Sequence, residues 1–169
     1  WCDFLDLVLI VLLPKLDGGR RPIGLFPTVI RVLMRTRIYI TRAWGNMNAM
    51  PALYGGAGMG AQRAAWQAAF FAEAAALGKQ EHAQGALDLV KALEMVPHHV
   101  LIAAAISRGF CLVLLRLSLA AYRLARSVGI DNVYSRRIRA TRGITAGSGF
   151  ATTELRVLLI ELIEVLHLK

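Results

Sequence analysis

In the stretch "ALDLVKALEMVPHHVLI", Ala86 to Ile102, Asp88 is the only acidic residue between Glu81 and Glu94. It follows a short apolar run and precedes a turn toward Val96-Pro97-His98. A carboxylate at the C-terminal end of a strand commonly presents a Mg²⁺ ligand, because this hard cation takes oxygen donors. A carboxylate in that position also starts helices and turns by accepting backbone N–H bonds. On the residue alone the ordinary cap or turn aspartate is the more common of the two. Two-metal phosphoryl transfer needs at least two such carboxylates close together.

Two other stretches carry donors. "PKLDGGRRPIG" sets Lys15, Arg20 and Arg21 around the turn Asp17-Gly18-Gly19. A basic hairpin tip can fold over a triphosphate, since its side chains and free backbone N–H groups both point at the anion; more often such a tip is a solvated turn. "RGITAGSG", Arg142 to Gly149, is built of small residues that let a backbone approach a ligand or a base pair closely. Its plainer reading is a loop and helix start. The histidines His82, His98, His99 and His167 show no metal-ligand spacing, and His98 and His99 are expected at a solvated helix start. There is no Ser-His-Asp or Cys-His set and no dinucleotide or Walker glycine pattern.

These residues need elements to hold them. Leu7 to Leu13 is a continuous apolar run, read as a buried strand, and Arg21-Pro22-Ile23 begins the return strand after the turn. Pro27 to Trp44 reads as a helix with Arg31, Arg35 and Arg42 on one face. Residues 45–60 form a loop by composition, and Ala61 to Leu77 is a helix stopped by Gly78. A short strand is expected to end at Asp88. Pro97 to Arg108 and Leu112 to Arg126 read as helices, and Asn132 to Arg142 as one or two basic strands. An amphipathic helix from Thr152 to Leu168 closes the series, with Leu155, Leu159, Leu162 and Leu166 on one stripe. Strands and helices are intermixed, so the fold class is α+β.

Composition narrows the function classes. The chain has 169 residues, of which 56% are hydrophobic, and carries a net charge of +9. Mean hydropathy is +0.50, high for a soluble domain. Yet Val100 to Tyr122, the most hydrophobic long segment, is broken by Arg108 and Arg116, and the interval from Arg42 to Arg63 is rich in Gly and Asn. A transmembrane helix is therefore disfavoured. Leu7–Leu13 is too short and lacks a basic leader, which argues against a signal peptide and for an intracellular setting. Arginine supplies 16 of the 20 basic residues. Its planar fork binds two phosphate oxygens at once, which fits a polyanion partner; codon bias toward Arg, Ala and Gly explains the same enrichment equally well. Cys2 and Cys111 form no metal spacing and no disulfide framework.

The order of the motifs is more specific than any one of them. Pro-Lys, Gly-Gly and Arg-Pro-Ile come first, followed by an Arg-bearing helix and an Ala-rich helix. Then come Leu-Asp-x-x-Lys-Ala-x-x-x-Val-Pro-His and Gly-x-x-x-Gly-Ser. That succession resembles the fingers and palm of reverse transcriptases of the retroelement and group II intron kind, over nearly the whole chain. The resemblance implies a fingers-like segment, 1–60, and a partial palm-like segment, 61–169, in a helix-rich fragment of a right-hand polymerase whose palm sheet is incomplete. It makes Lys15 and Arg21 the residues that embrace the nucleotide triphosphate, and Asp88 the catalytic carboxylate that holds Mg²⁺. It places Leu93 where an aromatic residue usually screens the sugar 2′-hydroxyl. Gly143, Gly147 and Ser148 become the turn that faces template and nascent pair. RNA template and DNA primer are the implied partners, and Mg²⁺ the implied cofactor once the full palm is present.

The sequence departs from that family at named positions. Leu93-Glu94 stands where Phe-Asp is common, and Ala146 where Gln usually precedes the Gly. The second carboxylate motif, an aromatic residue followed by Asp-Asp, would come after the helix that ends near Lys169. With Asp88 alone the metal pair is not assembled, and the expectation is that this chain does not polymerise as it stands. The competing reading is a non-enzymatic, mostly helical subunit of a larger assembly, a membrane complex being one form. Protein partners would then cover its apolar surface.

Overall fold

The computed structural model describes residues 5–50, 52–55, 60–85 and 89–167. Among them the chain is a mixed α+β fold of five helices and a five-stranded sheet. β1 (Leu7–Pro14) and β2 (Arg20–Leu25) form the expected hairpin. Its tip is closed by Lys15 N donating to Gly19 O at 2.8 Å and Gly19 N donating to Asp17 Oδ1 at 2.9 Å. Gly18 sits at φ +79, a conformation that glycine adopts without steric cost.

α1 (Thr28–Met47) follows, then α2 (Ala61–Leu77), α3 (His98–Ser107) and α4 (Leu112–Tyr122). β3 (Ala125–Ile130), β4 (Val133–Tyr134), β5 (Ile138–Arg139) and α5 (Ala151–His167) complete the order. The sheet runs β2-β1-β3-β4, with β5 also paired to β3. Only β1 and β3 are parallel, in the register Leu7↔Ala125 to Val11↔Gly129. The core lies between this sheet and the helices. Val8 and Ile10 face it from β1, Ile30, Met34 and Trp44 from α1, Leu101 from α3, Leu114, Leu115 and Tyr122 from α4, and Val157 and Ile160 from α5.

Four expectations are corrected. The helix read from Leu112 to Arg126 stops at Tyr122, and Ala125–Ile130 is instead the strand that pairs with β1. Its inward residues are Ala125, Ser127 and Gly129, too small to read as an apolar alternation. At Gly129 a Cβ would come within 2.6 Å of the Tyr134 ring, so the small side is what the packing requires. The short strand ahead of Asp88 is absent from residues 80–85 and 89, and Asp88 itself lies outside the described residues. His98 is buried, not solvated: its Nε2 lies 3.0 Å from Gly143 O, because the first turn of α3 packs beneath the glycine turn. Finally, the leucine stripe of α5 is only in part its packed face: Leu155 and Leu159 lie half-buried against the core. Ala151, Glu154, Val157 and Ile160 point inward, while Leu162 and Leu166 are exposed.

One brace ties three helices. Trp44 Nε1 of α1 donates to Arg108 O at 2.9 Å, and the Arg108 guanidinium makes a two-point ion pair with Glu164 of α5. The hydrogen bond to Glu164 raises the Arg108 pKa, and the reciprocal bond holds the Glu164 carboxyl below its ordinary value. α2 is bound much less tightly: Ala75 is its only buried residue, and Trp66, Phe70, Phe71 and Leu77 stand exposed.

Candidate functional site

The turn from Arg142 to Gly149 is stitched into the fold on two sides. Gly143 N donates to Val96 O at 2.7 Å and Ile144 N to Leu93 O at 2.8 Å, which binds the turn to the segment before α3. On the other side Gly24 N of β2 donates to Ala146 O at 2.6 Å. These approaches require glycine. Gly143 has φ +94 and a Cβ there would lie 2.7 Å from Glu94 O; Gly147 has φ +108 and a Cβ would lie 2.3 Å from Gly24 O.

Because the turn bridges the two elements, the hairpin tip and residues 89–95 become the walls of one cleft of about 860 Å³. Lys15, Arg20 and Arg21 line it from the hairpin, Lys91, Leu93 and Glu94 from the opposite wall, and Arg142 and Ala146 from the turn. Five cationic side chains thus share the cleft with a single acid among the described residues. All five are exposed, and none makes a salt bridge with another described residue. Lys91 is held at φ +48, a left-handed conformation uncommon for a long side chain, within a turn closed by Met95 N donating to Lys91 O at 3.1 Å. A cleft of exposed, unpaired cations is suited to an anion with several charges, since each cation keeps its full hydrogen-bonding capacity for the ligand.

A smaller cavity of about 190 Å³ opens beneath, sharing Pro22, Glu94 and Ala146 with the cleft. Arg126 of β3 lines it, with Nη2 donating to Tyr122 O and to Thr145 Oγ1, each at 2.8 Å. Burial pulls its pKa down from the ordinary arginine value.

Of the residues singled out in the sequence, Lys15, Arg21 and Leu93 come together in the cleft. Gly143 and Gly147 shape its turn from behind, by the close approaches above. The Ser148 hydroxyl points inward, accepting from Phe150 N at 3.1 Å and lying 2.8 Å from the Tyr122 hydroxyl. Tyr122 Oη is in turn 2.6 Å from Glu154 Oε2. One phenolic proton serves only one of these two contacts, so the other takes its proton from Ser148 or from a protonated Glu154. Glu154 is fully buried and its Oε1 has no hydrogen-bond partner among the described residues, the nearby Ser118 hydroxyl being spent on Leu114 O at 3.1 Å. Burial pushes the Glu154 carboxyl up from its ordinary value, and the hydrogen bond with the Tyr122 hydroxyl opposes this only in part. Burial, with the Glu154 charge, also raises the Tyr122 phenol.

Asp88, the candidate metal ligand, lies outside the described residues. Among the described residues no group of three or more His, Cys, Asp or Glu could hold a metal ion. Sequence reasoning missed Lys91, Arg126 and Arg142 as members of the site; nothing local distinguishes them from solvated cations. In comparisons with known proteins, no family model matches the chain and no curated protein matches it significantly.

Proposed function

We propose that the basic cleft is the nucleotide-facing part of a fingers-and-palm segment of a reverse transcriptase of retroelement type, an RNA-directed DNA polymerase. One observation carries the reading. Lys15, Arg21 and Leu93, chosen on the resemblance from distant parts of the chain, line a single cleft rich in unpaired cations. In this reading Lys15 and Arg21 grip the phosphates of the incoming nucleotide, Arg20, Lys91 and Arg142 add to the field, and Leu93 lies against the sugar. The glycine turn, whose Gly143 and Gly147 approach Glu94 and β2, is assigned to template and primer on the resemblance alone. Asp88 is assigned as the Mg²⁺ carboxylate on the resemblance alone; when bound, the ion would neutralise phosphate charge and activate the primer 3′-hydroxyl.

Two results are expected. With an RNA–DNA hybrid present, Lys15→Ala and Arg21→Ala each weaken binding of a fluorescent deoxynucleoside triphosphate by about tenfold, as loss of one charge-assisted hydrogen bond predicts. Arg63→Ala, on α2 and outside the cleft, leaves it unchanged. Equal affinities across all three variants would remove the cleft from the nucleotide site. In a form of the protein that carries the second carboxylate motif, Asp88→Asn abolishes primer extension without lowering the melting temperature; extension retained by that variant ends the assignment of Asp88.

The second reading, a subunit of a larger assembly, is favoured by α2, whose Trp66, Phe70 and Phe71 lie open to solvent. No described helix is long and apolar enough to cross a membrane. The apolar surface therefore points first to a protein partner, and co-purification of a partner lost on Trp66→Ser with Phe70→Ser would support it.

A further inference from the structure

A second concave site lies apart from the basic cleft and shares no residue with it. It is a groove of about 540 Å³ between the C-terminal half of α1 and the first turn of α5. We propose that this groove binds a phosphate group, independently of the function assigned to the cleft.

The argument is an inventory of donors and acceptors. Arg42 lines the groove from α1 and Arg156 from α5, and neither makes a salt bridge with another described residue. Arg156 is fixed in place by Nη1 donating to Gly45 O at 3.2 Å. Gly45 is small enough to admit it: a Cβ there would lie 3.3 Å from that same Nη1. With the guanidinium anchored, its Nε is shut off from solvent and has no hydrogen-bond partner among the described residues. A ligand in the groove does not reach that nitrogen; what Arg156 brings to the groove is the permanent charge of its guanidinium. The Thr41 hydroxyl is already spent on Ile38 O, and the Tyr54 hydroxyl on Gln67 Oε1. The groove's other side-chain donors, Asn46, Thr152 and Thr153, have no hydrogen-bond partner among the described residues. No carboxylate lines the groove among those residues. In the first turn of α5, Ala151 N is bonded to Ser148 O and Glu154 N to Phe150 O, which leaves the amides of Thr152 and Thr153 as further donors. Two cations, several free donors and no acid make an environment for a compact anion with several oxygens. The volume exceeds that of a bare phosphate, so the phosphate of a larger organic molecule fits as well.

Two sources share this chemistry: a free phosphate or phosphomonoester, and a phosphodiester within a polynucleotide. The test titrates the whole chain with inorganic phosphate, and separately with a short RNA lacking terminal phosphates. Amide NMR shifts of Thr152 and Thr153 report occupancy of the groove. Arg42→Gln, a change at an exposed position, and Arg156→Gln are each expected to weaken binding by about tenfold. Arg21→Ala, in the cleft, leaves the Thr152 and Thr153 shifts intact, which separates failure here from failure of the nucleotide reading. Saturable shifts with inorganic phosphate identify a free-phosphate site; shifts with the RNA only identify a backbone-phosphate site. Absence of saturable shifts with either probe overturns the proposal. So does binding that neither Arg42→Gln nor Arg156→Gln weakens.

Discussion

Gly147→Ala is expected to unfold a large fraction of the chain at ordinary temperature. The substitution meets two obstacles at once. At φ +108 any side chain is strained, and the added methyl would lie 2.3 Å from the Gly24 carbonyl oxygen. That oxygen belongs to β2, whose own amide is bonded to Ala146 O, so the backbone cannot withdraw without opening the turn. Strain of about 1–3 kcal/mol and overpacking of about 1–3 kcal/mol together approach the whole stability of a marginal domain. Gly18→Ala is the control. Its φ is +79, but nothing lies within 4 Å of the added Cβ, so only the conformational part of the cost, about 1 kcal/mol, applies. Urea denaturation of the two variants compares them directly. A Gly147→Ala midpoint as high as that of Gly18→Ala would show that the turn does not rest on β2 as described.

The second large effect concerns Glu154. Replacing it with Ala deletes the acceptor of Tyr122 and leaves a cavity against α4, a loss of about 2–4 kcal/mol. Glu154→Gln keeps the shape and stays neutral, so it isolates the charge. The folded carboxyl has its pKa raised above the ordinary 4.5. The folded chain therefore holds a proton that the unfolded chain gives up. Its contribution is fully present below the unfolded value and is lost as pH rises through the folded one. Glu164, with its pKa lowered by Arg108, works the other way, its contribution present above the unfolded value and lost as pH falls. A whole-protein profile mixes the two. The informative quantity is the melting temperature of the wild type minus that of Glu154→Gln, measured from about pH 4 to about pH 8. This difference should fall as pH rises. A flat difference would mean that the carboxyl ionises without penalty.

These two residues also mark where sequence reasoning succeeds and where it stops. Asp17-Gly18-Gly19 and the Ala-rich run from Ala61 to Leu77 were legible because turn and helix preferences act locally, and both elements stand where they were read. β3 was not legible. Its inward side is Ala, Ser and Gly, and its pairing with β1 overrides the helical preference of the Ala-Arg-Leu segment before it. Glu154 was not singled out on its leucine-striped helix. Only Tyr122, on another helix, explains why a carboxyl belongs on the buried face. The cleft was half legible. Lys15 and Arg21 follow from the hairpin, whereas Lys91 and Arg142 join them through the backbone bonds that hold the glycine turn.

The parallel pairing of β1 with β3 also has a consequence for how the chain is made. β2 emerges from the ribosome directly after β1, so the hairpin can close early. The other edge of β1, carried by the apolar run Leu-Val-Leu-Ile-Val-Leu-Leu, has no partner until residues 125–130 are synthesised. At ordinary elongation rates that delay is roughly 5 to 20 seconds. Throughout it, the nascent chain presents an open, hydrophobic strand edge, the template on which aggregates grow. The finished fold hides this edge at the centre of its sheet. Its exposure therefore belongs to synthesis, where a chaperone or a slow, orderly release has most to protect.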